Sequence, residues 1–274
     1  MKPVATVILN RNLPKVTDEL VEHIKRTDGD VTDIYVVDSG SDASLKSAYT
    51  SWEANWPESK RVGLRYPRGM NYGLSQLYLE GKFSQYDAFF LLSNDAEFDD
   101  EASVTKLFRI LEEHPRVGIL SPCGKTWGER KLLSDLSTKY FWFIHNNAYF
   151  LRRQFIESVM TVCEEGFMNF LFDGNNFRGY GLEHELIAKA YANDWAAAIT
   201  SDVLTTENES YLLSRADLIK TDGYHENFEL YIREGKDWMR GKYGFNSHWT
   251  MQQYVKGFYD AFFTFHPELE KFKI

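Results

Sequence analysis

The chain has 274 residues, enough for one large domain or for a domain with an appendage. Its 43% apolar and 26% charged residues argue against disorder as the main state. With 31 basic and 40 acidic residues the net charge is −9, which disfavours a non-specific binder of nucleic acid or of anionic membrane but leaves room for a local basic cleft for a phosphorylated ligand.

The elements follow in chain order. Val4–Leu9 is a short apolar run and reads as a buried strand. Thr17–Lys25 carries Leu20, Val21 and Ile24 at helical spacing, with Thr17 as the expected N-cap. Asp33–Asp38 is a second strand, ending in the turn Ser39-Gly40-Ser41-Asp42 and followed by an expected helix around Leu45–Trp56. Arg61–Tyr66 is expected as a third strand and Met70–Glu80 as a helix. Ala88–Leu92 is the most apolar strand and runs into Ser93-Asn94-Asp95-Ala96-Glu97. Ala102–Glu113 is an amphipathic helix, and Val117–Leu120 another strand. Strands and helices thus alternate over short connections, the pattern of a mostly parallel sheet covered by helices. Right-handed crossovers bring the strand C-termini to one edge, where such sheets bind ligands. Asn10-Arg11-Asn12, Asp38-Ser39 and Ser93–Glu97 converge there.

The second half is less regular. Tyr140–Arg152 is aromatic and strand-like around His145-Asn146-Asn147, and Gln154–Glu164 is expected as a helix. Phe172–Gly181 is an Asn- and Gly-rich loop leading to a helix at Leu182–Asn193 and a strand at Trp195–Ile199. After about residue 206 the alternation stops, and the tail is expected to be helical near Trp249–Phe263.

No GxGxxG, GxxxxGK[ST], HExxH or GxSxG string occurs, so the usual warrants for a dinucleotide site, a P-loop, a zincin and an α/β-hydrolase are missing. Cys123 and Cys163 are too few for a disulfide framework and are expected in the core. No signal-peptide pattern opens the sequence and no apolar run approaches about 20 residues, so a cytoplasmic protein is expected. Asp38 is either a turn cap or an acceptor of hydrogen bonds from a nucleobase or ribose. Asp95 and Glu97, two apart after a buried strand, suit a hard divalent cation bridging to phosphate oxygens, or else cap the next helix. Glu183, at a helix start behind Gly179 and Gly181, is placed to take a proton from an acceptor hydroxyl. His145-Asn146-Asn147 either satisfies buried backbone or lines a cleft.

The order of these pieces resembles nucleotide-sugar glycosyltransferases of the GT-A fold, most of all the inverting family two. The matching strings are Val7–Asn12, Val36–Ser41, Asn71-Tyr72-Gly73, Leu92–Ala96, Val117–Pro122, Asn147–Arg153 and Gly179–Leu186. The resemblance covers roughly residues 4–200. It implies an α/β Rossmann-like domain over 1–205, with a nucleotide-sugar half to about 100 and an acceptor half beyond, and a helical extension over 206–274. It implies sugar transfer from a nucleotide-diphosphate sugar to an acceptor hydroxyl of a glycan, with inversion and with Mn2+ or Mg2+ as cofactor. Donor contacts then fall on Asn10, Arg11, Asn12, Asp38, Ser39, Asn71, Ser93, Asn94 and Asp95. Acceptor contacts fall on Trp142, Asn146, Asn147 and Tyr180, and the metal on Asp95 alone or with Glu97. The family's first DxD carboxylate is Ser93 here, and His184 stands where its second late acid usually is, so the base is Glu183, Glu185 or His184. The rivals are a non-catalytic nucleotide-sugar-binding protein and a nucleotidyltransferase on the same scaffold; the latter usually carries a Gly-rich loop where this chain reads Asn10–Lys15 without glycine. A lipid-linked acceptor would place the protein at a membrane surface.

Overall fold

The structure is a computed structural model, describing residues 2–134, 137–144, 148–208, 214–215, 217–219 and 222–274. Its strands are β1 Val4–Asn10, β2 Thr32–Asp38, β3 Thr50–Glu53, β4 Ala88–Ser93, β5 Ala96–Phe98, β6 Val117–Gly124, β7 Thr138–Tyr140, β8 Ala148–Arg152 and β9 Ala196–Glu207. Its helices are α1 Pro14–Asp28, α2 Pro57–Val62, α3 Arg65–Leu79, α4 Ser103–Glu113, α5 Arg153–Val159, α6 Leu182–Ala192, α7 Tyr224–Tyr243 and α8 His248–Phe265.

One sheet runs β3-β2-β1-β4-β8-β6-β9-β5, with β7 also on β9. The half β3-β2-β1-β4 is parallel. β8 enters antiparallel between β4 and β6, and β5 and β7 run antiparallel to the two ends of the long β9, so the sheet as a whole is mixed. The reversal at β8 follows from chain length. β8 comes from a segment that leaves the sheet after β6 and returns from its far end, so it needs no crossover helix. Central β4 is apolar on both faces because helices cover both, as the unbroken run Ala88–Leu92 requires.

Two expected elements are replaced. The segment around Leu45–Trp56 is not a helix: a single 3-10 turn at Ala43–Leu45 is followed by edge strand β3. Ser47 caps nothing helical; its hydroxyl donates to Asp18, and Trp52 stacks on Tyr35 of β2 at 4.9 Å. Arg61–Tyr66 is not a strand. Pro57 begins α2, Gly63 at φ 72 ends it, and α3 starts at Arg65 with φ 56. Helix α1 likewise begins at Pro14 rather than at Thr17, whose hydroxyl lies inside the first turns and donates to Asn10 and Leu13. The aromatic stretch Tyr140–Arg152 is two strands, β7 and β8, with His145, Asn146 and Asn147 between them outside the described residues. Helix α5 stops at Val159, short of Glu164. Cys123 is in the core, but Cys163 is exposed.

Of the two C-terminal helices α8 joins the main core, whereas Trp238 and Met239 of α7 form a separate small cluster with Met251. Val255, Tyr259, Phe262 and Phe263 of α8 pack with Tyr191 of α6 and Tyr140 of β7. Tyr259 donates to the terminal carbonyl of Ile274, tying the chain end to the same layer. Among the described residues no helix is long and apolar enough to cross a membrane.

Asn71 on α3 holds the two halves together. Its Nδ2 donates to the carbonyls of Phe167 and Phe172, and its Oδ1 accepts from the backbone N–H of Leu171 and Phe172. It is fully buried, so these bonds replace water that the loop backbone has lost. Asn71→Ala leaves those groups unmet and should cost roughly 2–4 kcal/mol in urea unfolding, the scale of losing partners at several buried polar groups.

Candidate functional site

The C-terminal ends of β1, β2 and β4 form the edge that the parallel half dictates. Most polar residues there serve the loops themselves. Asn10 donates to Asp38 Oδ2 at 3.1 Å and accepts from Leu13 N–H and the Thr17 hydroxyl. Arg11 places its guanidinium on the carbonyls of Ser39, Gly40, Ser59, Lys60 and Ile219. Asn12, at φ 55, donates to the Leu218 carbonyl and accepts from Asp42 N–H. Ser39 accepts from Leu64 N–H at 2.6 Å. Asn10, Arg11, Asn12, Ser39 and the buried Asn71, all expected as donor contacts, make these internal bonds that frame the edge. Asp38 accepts from Ser41 N–H, and it still lines an open cavity of about 440 Å³ with Asp42, Lys46, Glu53 and Lys60.

Asp95 lies just past β4, almost fully buried, and accepts from the Ser93 hydroxyl. Asn94 is turned away and donates to Thr17 at 3.0 Å. Glu97 is exposed on β5 and accepts from Asn208 at 2.7 Å. Behind Asp95 stands a layer of buried phenols. Tyr66 lies edge-on to Tyr149 of β8 at 6.2 Å. Burial raises both phenols' proton affinity, and the charge of Asp95 on Tyr66, and of Glu183 on Tyr149, raises it further. Tyr66 thus senses the charge of Asp95 and Tyr149 that of Glu183.

The approach to α6 is built by Asn176 and two left-handed glycines. Asn176 donates to the Tyr180 carbonyl and accepts from Gly179 N–H. Gly179 has φ 87 and Gly181 φ 75, so the chain turns sharply into the helix, a conformation that favours glycine. Glu183, 8% exposed, and His184, 0% exposed, then sit in the first turn. Glu183 Oε1 is 2.8 Å from His184 Nδ1, which is 3.3 Å from Nε2 of His248, the first residue of α8. Burial alone would raise the Glu183 carboxyl's proton affinity. The His184 charge, hydrogen bonds from both histidines and a backbone N–H outweigh that and hold it well below the usual carboxylate range.

Glu185 points elsewhere. Two positions on round the helix, about 200°, it is 3% exposed and accepts from Lys242 Nζ and the Tyr243 hydroxyl, both at 2.6 Å. Lys242 also reaches Asp173 at 2.7 Å, and Trp238 Nε1 donates to the same carboxylate. Glu185, one of the three base candidates, is engaged here with α7 through Lys242 and Tyr243. Tyr180 packs between His248 at 4.8 Å and Tyr231 of α7 at 5.0 Å. Gly235 permits this approach, since a Cβ there would lie 2.4 Å from Tyr180 Cβ. Trp142 is half-buried beside Phe143, which packs on His184 at 5.5 Å. His248, Tyr231 and Lys242 were not legible as site residues, because nothing in the spacing of the tail ties it to Gly179–Leu186.

Among the described residues one group of three or more His, Cys, Asp or Glu ligand atoms lies within 4.8 Å: Glu183, His184 and His248. Asp95 offers a carboxylate with the Ser93 hydroxyl beside it, which fits a hard cation completing its shell with phosphate oxygens and water. Glu97, which accepts from Asn208, lines the same cavity of about 270 Å³ as Asp95.

The Asp173 clamp yields a pH prediction. Burial raises its proton affinity, but the bonds from Lys242, Trp238 and Asn175 prevail and bring it down to about 2. A carboxylate depressed in the folded state stabilises fully above its unfolded value of about 4. That stabilisation fades as pH falls through about 2. In acid titrations followed by circular dichroism, Asp173→Asn should flatten the loss of stability between roughly pH 4 and pH 2.

Known proteins were compared with this geometry in view. No family model and no curated protein sequence matches the chain. Solved structures do. The mannosyltransferase PcManGT from Pyrobaculum calidifontis, in complex with GDP-Man and Mn2+, superposes with a TM-score of 0.53 at 13% identity, over 94% of this chain and 74% of that one. GalNAc-T7 with UDP, GalNAc and Mn2+ gives 0.56 at 11% identity over 76% of this chain, which spans only 44% of that protein. TarS from S. aureus in complex with UDP gives 0.51 at 13% identity, over 88% and 74%. At such identities the likeness is one of architecture: the chain has the GT-A fold of these glycosyltransferases.

Proposed function

We propose that the chain is an inverting glycosyltransferase that moves a sugar from a nucleotide-diphosphate sugar to a hydroxyl of a glycan. The observation that supports this is Glu183, buried in the first turn of α6 behind two left-handed glycines with His184 at 2.8 Å and His248 at 3.8 Å, in a chain with the GT-A fold. The cavity beside Asp38 suits the nucleoside. Asp95 would hold a divalent cation, as the Mn2+ in the PcManGT and GalNAc-T7 structures suggests. Bound there, the cation supplies charge neutralisation to the departing diphosphate. Glu183 takes the proton of the attacking hydroxyl. His184 and His248 keep the carboxylate charged and fix its direction.

The acceptor side has an aromatic track. Tyr224, Phe228, Tyr231 and Gly235 recur at i, i+4, i+7 and i+11 and so share one face of α7. That face is buried at Gly235 and Met239, yet Tyr224 and Phe228 are each 50% exposed. Ring centroids step from Tyr224 to Phe228 at 6.4 Å, to Tyr231 at 6.4 Å, to Tyr180 at 5.0 Å and to His248 at 4.8 Å. An apolar sugar face stacks on such rings, and the row ends at Glu183.

The test is release of nucleoside diphosphate from UDP-, GDP- and dTDP-sugars with Mn2+ and an oligosaccharide panel, with the product anomer read by NMR. Glu183→Gln should lower turnover by about 10²-fold or more while donor binding persists. Asp95→Asn should abolish the Mn2+-dependent part of donor affinity. Phe228→Ala should raise the acceptor KM roughly 5- to 10-fold, the worth of one ring contact, with donor affinity unchanged. No release from any donor, with binding intact, would leave a nucleotide-sugar-binding protein instead. Retained turnover in Glu183→Gln would remove the proposed base.

A further inference from the structure

Glu183 Oε1, His184 Nδ1 and His248 Nε2 raise a question that base catalysis does not answer. Each of the three atoms offers a lone pair once the imidazole protons leave, and they lie 2.8, 3.3 and 3.8 Å apart, in surroundings where His184 has no exposed surface. Lone pairs packed this closely need positive charge between them. A proton bridges two such atoms; a metal ion bridges three.

We propose that Glu183, His184 and His248 form a transition-metal site of the class that takes zinc. The triangle sets the size. The point equidistant from atoms 2.8, 3.3 and 3.8 Å apart lies about 2 Å from each, the length of Zn–N and Zn–O bonds. The donor set sets the metal. Two imidazoles and one carboxylate suit zinc and its neighbours, whereas Mg2+ prefers oxygen ligands and keeps its waters. Three protein ligands leave a fourth position for water. The His248 side chain is 25% exposed, which gives the ion a way in. Two elements far apart in sequence, the first turn of α6 and the first residue of α8, supply the ligands, so the ion would also pin the C-terminal helices to the Gly179–Gly181 turn. Zinc at this position occupies a Glu183 lone pair, so the zinc-loaded state and the proton-accepting state of Glu183 exclude one another, and the site is distinct in place and chemistry from the hard cation at Asp95.

The experiment is calorimetric titration of the chelator-treated full chain with zinc chloride, and with magnesium chloride as contrast. Cys163 is replaced by Ser throughout, because an exposed thiol also binds zinc. One saturable zinc site with a Kd of about 1 µM or tighter, for which magnesium does not compete, is the expected result. His248→Gln and Glu183→Gln keep the side-chain shapes and should each weaken zinc at least about 10-fold, with circular dichroism of the metal-free proteins unchanged. Absence of a saturable site, or unchanged affinity in both variants, would show that a proton alone fills the triangle and would overturn the proposal. The titration is read on the protein without donor or acceptor, so its outcome is independent of whether sugar transfer is found.

Discussion

A carboxylate as buried as Glu183 costs several kcal/mol unless opposite charge and hydrogen bonds meet it. Most of the second half of the molecule is arranged to meet that demand. The two left-handed glycines turn the chain so that the first turn of α6 points inward. His184 follows as the adjacent partner, and α8 begins where His248 completes the cluster. Tyr180, wedged between His248 and Tyr231, fills the space beside it, and α7 comes near only because Gly235 lacks a side chain. The same helix carries Lys242 and Tyr243 to the second buried carboxylate, Glu185. One short acidic string thus recruits two helices from a tail that has no pattern of its own.

The N-terminal half obeys a different constraint. Parallel strands leave their C-terminal ends open, and the connecting loops must satisfy their own backbone polar groups. Asn10, Arg11, Asn12 and Ser39 do that work, with Arg11 alone meeting five carbonyls. Burial lowers the proton affinity of that guanidinium, and Asp38 and Asp42 offset part of the effect. Residues that are internally saturated make a rigid rim. Two cavities open on the rim, one of about 440 Å³ beside Asp38 and one of about 270 Å³ lined by Asp95 and Glu97.

Between the halves lies a hydrogen-bonded and aromatic seam. Asn71 on α3 ties the loop Phe167–Phe172 to the N-terminal half. Tyr66 and Tyr149 stand edge to face behind Asp95, and each feels one of the two carboxylates. Buried phenols in that position exclude water while keeping the layer polar enough to sense charge on either side.

Much of the molecule was legible in the sequence. Val4–Leu9, Asp33–Asp38 and Ala88–Leu92 read as strands because strands covered on both faces are nearly continuous apolar runs. Glu183 stood out because two glycines mark a turn that few other residues tolerate. The edge strand β3 and helix α2 were misjudged where short segments carry weak periodicity and the neighbours decide: β2 offered Thr50–Glu53 an edge, and Pro57 and Gly63 bounded a helix too brief to show a face. The sequence by itself determined the sheet-forming runs, the order of the edge turns and the acidic turn into α6, since each depends on residues adjacent along the chain. Only the tertiary structure decided that Asn10 and Asn71 brace loops, that Glu185 anchors α7, and that His248 joins Glu183 and His184. Those outcomes rest on contacts between residues about 30 to 100 positions apart, and side-chain polarity alone does not say which distant group will meet it.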